Sequence, residues 1–222
     1  RPIANDMEDL YLIKQGAWYG WPDFGSGIPV TESRFKPQDN AQPEFLLTVH
    51  PEVEKPLATY PTHSSITKMA ISPGGAFGKK GKMFIAFFGH MAPMTGEVDK
   101  HGGHRVIEVD SDSFESVDFL TPKGHSHSGG EKGEKKDDHQ EEKSGHHDDD
   151  GNAASAGPRR LLDVNFPSDG SALYVVDYGV MLVDKNGITA KPGTGVVWRI
   201  TRKESENAKD NAGTTSEAKS PK

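Results

Sequence analysis

The chain has no cysteine, so it can form no disulfide and carries no thiol nucleophile. That fits a reducing compartment and leaves an oxidising one open. No apolar run approaches the roughly 18 residues that a membrane-spanning helix needs. No basic stripe interleaved with aromatics is present, which argues against nucleic acid as a partner. Helical periodicity never extends beyond two turns. No Gly-x-Ser-x-Gly elbow occurs, and no glycine motif sits between a strand and a helix, so serine-hydrolase and phosphate-cradle readings fail. Apolar residues are also scarce, at 33% of 222. The shortage is local: residues 123–157 and 203–222 hold almost no large apolar side chain. The formal net charge of −7 draws heavily on the first of these stretches and says little about the folded surface.

What remains is a series of short apolar runs rich in β-branched and aromatic residues. They fall at 10–13, 45–49, 66–71, 83–88, 105–109, 117–120, 161–166, 173–178 and 196–200. Gly, Pro, Asn, Asp or Ser separates most of them. Length and punctuation both predict strands. The fold class is therefore all-β, which means a sandwich, barrel or propeller.

An internal repeat narrows the choice. One copy reads Lys68-Met-Ala-Ile-Ser-Pro-Gly-Gly75, Gly81-Lys-Met-Phe-Ile-Ala-Phe-Phe-Gly89, Arg105-Val-Ile-Glu-Val-Asp110. The other reads Leu162-Asp-Val-Asn-Phe-Pro-Ser-Asp-Gly170, Ala172-Leu-Tyr-Val-Val-Asp-Tyr-Gly179, Gly195-Val-Val-Trp-Arg-Ile200. Each is strand, turn, strand, long loop, strand, the pattern of a propeller blade. Such a unit has a face it cannot bury alone, so neighbours must stack on it. The expected domain spans 1–202, interrupted by 123–157, with 203–222 a polar tail.

The 123–157 block carries His125, His127, His139, His146 and His147 among acidic and basic residues. It cannot repay its ordering entropy by burial, so a disordered loop is expected there, and in the tail as well. Weak metal scavenging by its imidazoles is a second reading. Elsewhere, three constellations stand out. Asn5, Asp6, Glu8 and Asp9 precede the first run; they form either a solvated turn or a set of hard oxygen ligands for calcium. Tyr60-Pro-Thr-His-Ser-Ser65 precedes a blade strand, where polar side chains line a channel; His63 is either a ligand contact or an exposed loop residue. Gly157-Pro-Arg-Arg-Leu-Leu-Asp163 offers guanidinium groups that match carboxylates, or a surface basic pair opening a strand.

The segment Gly16-Ala-Trp-Tyr-Gly-Trp-Pro22, with Arg1-Pro-Ile-Ala-Asn5, Pro43-Glu-Phe-Leu-Leu47 and the 173–181 and 193–200 runs, resembles the glucose/sorbosone dehydrogenase family. That resemblance covers residue 1 to about residue 202 outside the insertion. It implies a six-bladed β-propeller, of which this chain would be the C-terminal half, about three blades. Arg1-Pro2 reads as the middle of an element, which agrees with a fragment. The implied reaction is oxidation of a sugar hydroxyl or aldehyde, with pyrroloquinoline quinone (PQQ) as hydride acceptor and calcium beside it. Cofactor contacts would come from Tyr60, Thr62, His63, Arg159 and Arg160. Calcium contacts would come from the carbonyls of Ile3 and Ala4, with Asp6 and Asp9 close by. The chain lacks the family's Gly-Pro pair before the first strand, and Leu162 stands where sugar-oxidising relatives have a second arginine. The family's catalytic base and quinone-polarising arginine fall on blades upstream of Arg1, so no catalytic residue is named. A periplasmic or secreted location is implied, with a small sugar as substrate. Two other readings stay open: a ligand-binding propeller without PQQ, and a metal-binding protein acting through its His-rich loop.

Overall fold

The computed structural model describes residues 2–94, 103–122 and 157–202. These are all-β, with no α-helix among them. The 123–156 part of the His-rich block and the 203–222 tail lie outside the described residues.

Three sheets follow one another in chain order. In the first, β1 (Glu8–Leu10) pairs antiparallel with β4 (Ala58–Tyr60). Between them β2 (Phe24–Gly25) and β3 (Ile28–Pro29) make a short hairpin. The second sheet is a four-stranded meander of β5 (Ile66–Ile71), β6 (Met83–Phe87), β7 (Arg105–Val109) and β8 (Ser116–Leu120). The third contains β9 (Leu161–Asn165), β10 (Leu173–Asp177) and β13 (Val196–Ile200), with β10 in the middle. A separate hairpin, β11 (Met181–Asp184) and β12 (Gly187–Ala190), interrupts it between β10 and β13. The two repeat copies thus fold as two antiparallel meanders, β5–β6–β7 and β9–β10–β13.

Side-chain alternation explains the stacking. Strand neighbours point to opposite faces, and all five residues of β6 are buried. Phe84 and Ala86 face the third sheet and join Leu161, Val164, Leu173 and Val175 in one core. Met83, Ile85 and Phe87 face the other way and join Tyr60, Ile107 and Val109 over the first sheet. The second sheet is therefore a middle layer, which is why its central strand reads as a continuous apolar run. Phe77 seals the first core through edge contacts with Phe84 and Phe166, at centroid distances of 6.1 and 5.2 Å.

One expected strand is shifted toward the N-terminus, and another is absent. The 10–13 run pairs only through Leu10; beyond it Leu12 and Ile13 point outward, in a loop tied to the Tyr19 hydroxyl at Leu12 O and Lys14 N. The 45–49 run is not a strand, because the amides of Leu46 and Leu47 donate to the buried Asp23 carboxylate at 2.8 and 2.7 Å. Its backbone donors are satisfied by one side chain instead of a neighbouring strand. Five strands were not expected: β2, β3 and β4, which are too short for a periodic signal, and β11 and β12, which fall inside a predicted loop. Asp184 makes that last hairpin by accepting from the amides of Asn186 and Gly187.

Candidate functional site

Antiparallel register brings the long connections to one end of the molecule. Ile66, Phe87 and Arg105 sit side by side across β5, β6 and β7. Leu161, Asp177 and Val196 do the same across β9, β10 and β13. The Thr67 hydroxyl donates to Leu161 O at 2.9 Å, which places these two ends together. The loops 61–65 and 157–160, and the connections leaving β6 and β10, therefore share one rim. Glu8 lies opposite Tyr60 and accepts from the Ser65 amide at 3.0 Å, so the acidic stretch before β1 begins at the same rim.

Asp177 organises the rim. Its buried carboxylate accepts from the amides of Arg159, Arg160 and Gly179 and from Trp198 Nε1, at 2.9 to 3.1 Å. One side chain thereby holds the loop before β9, the exit from β10 and the indole of β13. The Arg159 carbonyl accepts from His104 Nδ1 at 2.9 Å, and because a carbonyl only accepts, this nitrogen carries the proton. His90 is buried, and its Nδ1 accepts from the Ala92 amide at 3.2 Å. The two imidazoles meet edge to face, 5.7 Å apart. Backbone crossing here is tight: a Cβ on Gly103 would lie 2.1 Å from Gly89 Cα, so neither chain has room for a side chain.

The five expected cofactor contacts share this rim but differ in presentation. Arg160 is 2% exposed. Its Nη1 donates to His90 O at 2.9 Å and its guanidinium lies 5.2 Å over the Phe88 ring. It links the two sheets from within. Tyr60 is buried in the core, where desolvation pushes its phenol up, and its hydroxyl has no hydrogen-bond partner among the described residues. Thr62 is half-buried, His63 exposed and Arg159 half-buried, so these three reach the surface. His63 (φ 63°) and Ser65 (φ 51°) occupy the left-handed region, which costs about 1–3 kcal/mol each. Ser64 fixes that turn: its hydroxyl donates to Pro61 O at 2.6 Å and its carbonyl accepts from Gly89 N at 2.9 Å.

The acidic stretch forms a second patch. Burial, then Asp9, then Glu8 push the Asp6 carboxyl above its ordinary value. Burial also raises Asp9, against the pull of neighbouring Ser26 and Tyr11. The Tyr11 hydroxyl donates to Asp9 Oδ2 at 3.3 Å; burial and that carboxylate push its phenol up to about 12. Ala4 donates its amide to Phe35 O at 3.0 Å, and Ile3 is half-buried. Asp6 and Asp9 do belong together, yet among the described residues no three His, Asp or Glu side chains are grouped to hold a metal ion. Any cation there needs backbone oxygens as well.

Beside the rim lies a cleft of about 260 Å³ lined by Gly157, Arg159, Asp177, Val180, Lys191, Thr194, Val196 and Trp198. The sequence pointed only to Arg159 in it. Asp177 and Gly179 were visible as the end of a repeat unit, while Lys191, Thr194 and Trp198 become neighbours only through the β10–β13 pairing. His90 and His104 lie just after β6 and just before β7, beside Gly89 and Gly103, and that placement was the available signal. No protein-family model, no curated protein and no solved structure matches the chain.

Proposed function

We propose that the chain is part of a sugar-oxidising protein of the glucose/sorbosone dehydrogenase kind. Its three sheets are then successive propeller blades, and its ligand lies against the shared rim. The observation that carries this reading is the convergence there of 61–65, 157–160 and the acidic stretch, which the sequence scatters over more than 150 residues. Stacking of antiparallel sheets in chain order supports the blade assignment. When bound, PQQ supplies the hydride acceptor. From this chain Thr62, His63 and Arg159 face it, with Arg159 offering a planar fork to a carboxylate. Asp6 and Asp9, with the carbonyls of Ile3 and Ala4, form the calcium side. Arg160 keeps a structural role, tying the two sheets through His90. A periplasmic or secreted location accompanies this reading.

The test is titration of the chain, and of a longer parent where one exists, with PQQ in calcium and in chelator, followed by dye reduction with aldoses and sorbosone. Calcium-dependent saturable binding supports the reading; a folded protein without PQQ affinity overturns it. The inward placement of Arg160 favours a second reading, a sugar-binding scaffold without the quinone. Saturable sugar binding without PQQ affinity selects it.

A further inference from the structure

We propose that Asn186–Gly187, at the tip of the β11–β12 hairpin, is a self-modification site. There the chain converts its own asparagine to aspartate and isoaspartate, with water as the only co-reactant. This goes beyond the dehydrogenase reading and involves none of its ligands.

The sequence supplies the first argument. Gly187 is the one glycine in the chain that follows an asparagine. A backbone nitrogen that attacks the preceding carboxamide closes a five-membered ring, and a side chain on the attacking residue obstructs it. The other described asparagines precede larger residues: Asp6 follows Asn5, Ala41 follows Asn40 and Phe166 follows Asn165.

Geometry supplies the second. Asn186 is exposed, and only its backbone is hydrogen-bonded among the described residues, so the carboxamide can turn toward Gly187. Asn5, by contrast, is tied through Nδ2 to Arg34 O at 2.9 Å. Space around the attacking residue is open: a Cβ on Gly187 would meet no atom within 4 Å. Asp184 Oδ1 accepts from the amides of Asn186 at 2.7 Å and Gly187 at 3.1 Å. The second contact sets a carboxylate beside the N–H that must lose its proton, within the roughly 2.6–3.2 Å reach of a general base.

The step is balanced without an oxidant or reductant. Gly187 N bonds to Asn186 Cγ while the Cγ–Nδ2 bond breaks. Asp184 passes the Gly187 proton to the departing nitrogen, which leaves as ammonia. Water then opens the cyclic imide. Attack at Cγ yields aspartate; attack at the main-chain carbonyl carbon yields isoaspartate, whose backbone runs through Cβ and Cγ.

The hairpin sets the consequence. Either product adds a carboxylate to a turn that already carries Asp184. Isoaspartate also lengthens by one methylene the two-residue connection that pairs Asp184 with Gly187. The hairpin base is pinned, because Lys191 N donates to Val180 O at 3.0 Å and the Val180 amide donates to Thr194 Oγ1 at 2.9 Å. The change is therefore a slow, one-way gain of charge and loss of order confined to the tip.

The experiment is incubation of the full chain in mildly alkaline buffer, followed by peptide mapping with fragmentation that separates aspartate from isoaspartate. An Asn186→Gln variant and a synthetic 182–189 peptide run in parallel, and hydrogen–deuterium exchange is read on the aged chain. Support is conversion at Asn186 to both products, about tenfold faster than at Asn5, Asn40 or Asn165. It also requires no isomerised product in Asn186→Gln, and faster exchange in 182–189 with β9, β10 and β13 unchanged. Conversion of the peptide but not of the folded chain would mean that the hairpin blocks the attack, and overturns the site. Equal conversion at the other asparagines, or aspartate without isoaspartate, overturns it as well. PQQ, calcium and sugar are absent throughout, so the outcome is independent of the dehydrogenase reading.

Discussion

Asp177 illustrates what one residue decides in this chain. It is the fifth residue of β10, and its carboxylate satisfies four donors drawn from three separate segments. Asp177→Asn replaces one accepting oxygen by a donor amide facing N–H groups. The expected loss is about 2–4 kcal/mol in urea unfolding, because buried donors are left unsatisfied. An unchanged midpoint would deny Asp177 its organising role. Asp6 makes the opposite prediction. Its carboxyl is raised above 3.8 by burial and by Asp9 and Glu8, so the folded chain holds that proton more tightly than the unfolded one. The associated stability is full below 3.8 and is lost as pH rises through the raised folded value. With a chelator present, Asp6→Asn should raise the urea midpoint near pH 7 and leave it unchanged near pH 3. Destabilisation near pH 7 would contradict this.

At the level of elements, β6 carries the packing. Phe84 has no exposed surface and touches Phe77, Phe119 and Phe166 in the core between the second and third sheets. Phe84→Ala should cost about 3–5 kcal/mol, read by thermal or urea denaturation; a loss below about 1 kcal/mol would mean the core closes around the gap. The same strand shows why much of the fold was legible. β5, β6, β7, β9, β10 and β13 each present an uninterrupted apolar or alternating run, and turn residues mark their ends. The 45–49 run carries the same signal but is held by Asp23, more than 20 residues away, and a local pattern contains no trace of such a partner. β11 and β12 were missed for the converse reason. Their hairpin rests on the Asp184 turn and exposes most of its side chains, so it has little apolar periodicity. Within the site, Tyr60, Thr62, His63, Arg159 and Arg160 could be singled out by residue type and by place before a strand. Which of them faces solvent could not, because Arg160 is buried by His90 and Phe88 from a loop 70 residues away.

At the scale of the described molecule, the connections between β1 and β4 leave large apolar side chains uncovered. Leu12, Ile13, Trp21, Leu46 and Val49 are all more than 60% exposed. Exposed apolar surface promotes association, so the isolated chain should self-associate as concentration rises, and light scattering should show the mass increase. A constant monomer mass up to high concentration would contradict that expectation. The central claim is that one rim, assembled from loops distant in sequence, is the ligand end. Hydrogen–deuterium exchange of the full chain, with and without saturating PQQ and calcium, tests it most directly. The account predicts slowed exchange in 61–65, 157–160 and the segment following β10, with the opposite-end turns at 72–82 and 166–172 unchanged. Equal exchange everywhere, or protection confined to those opposite turns, would contradict it.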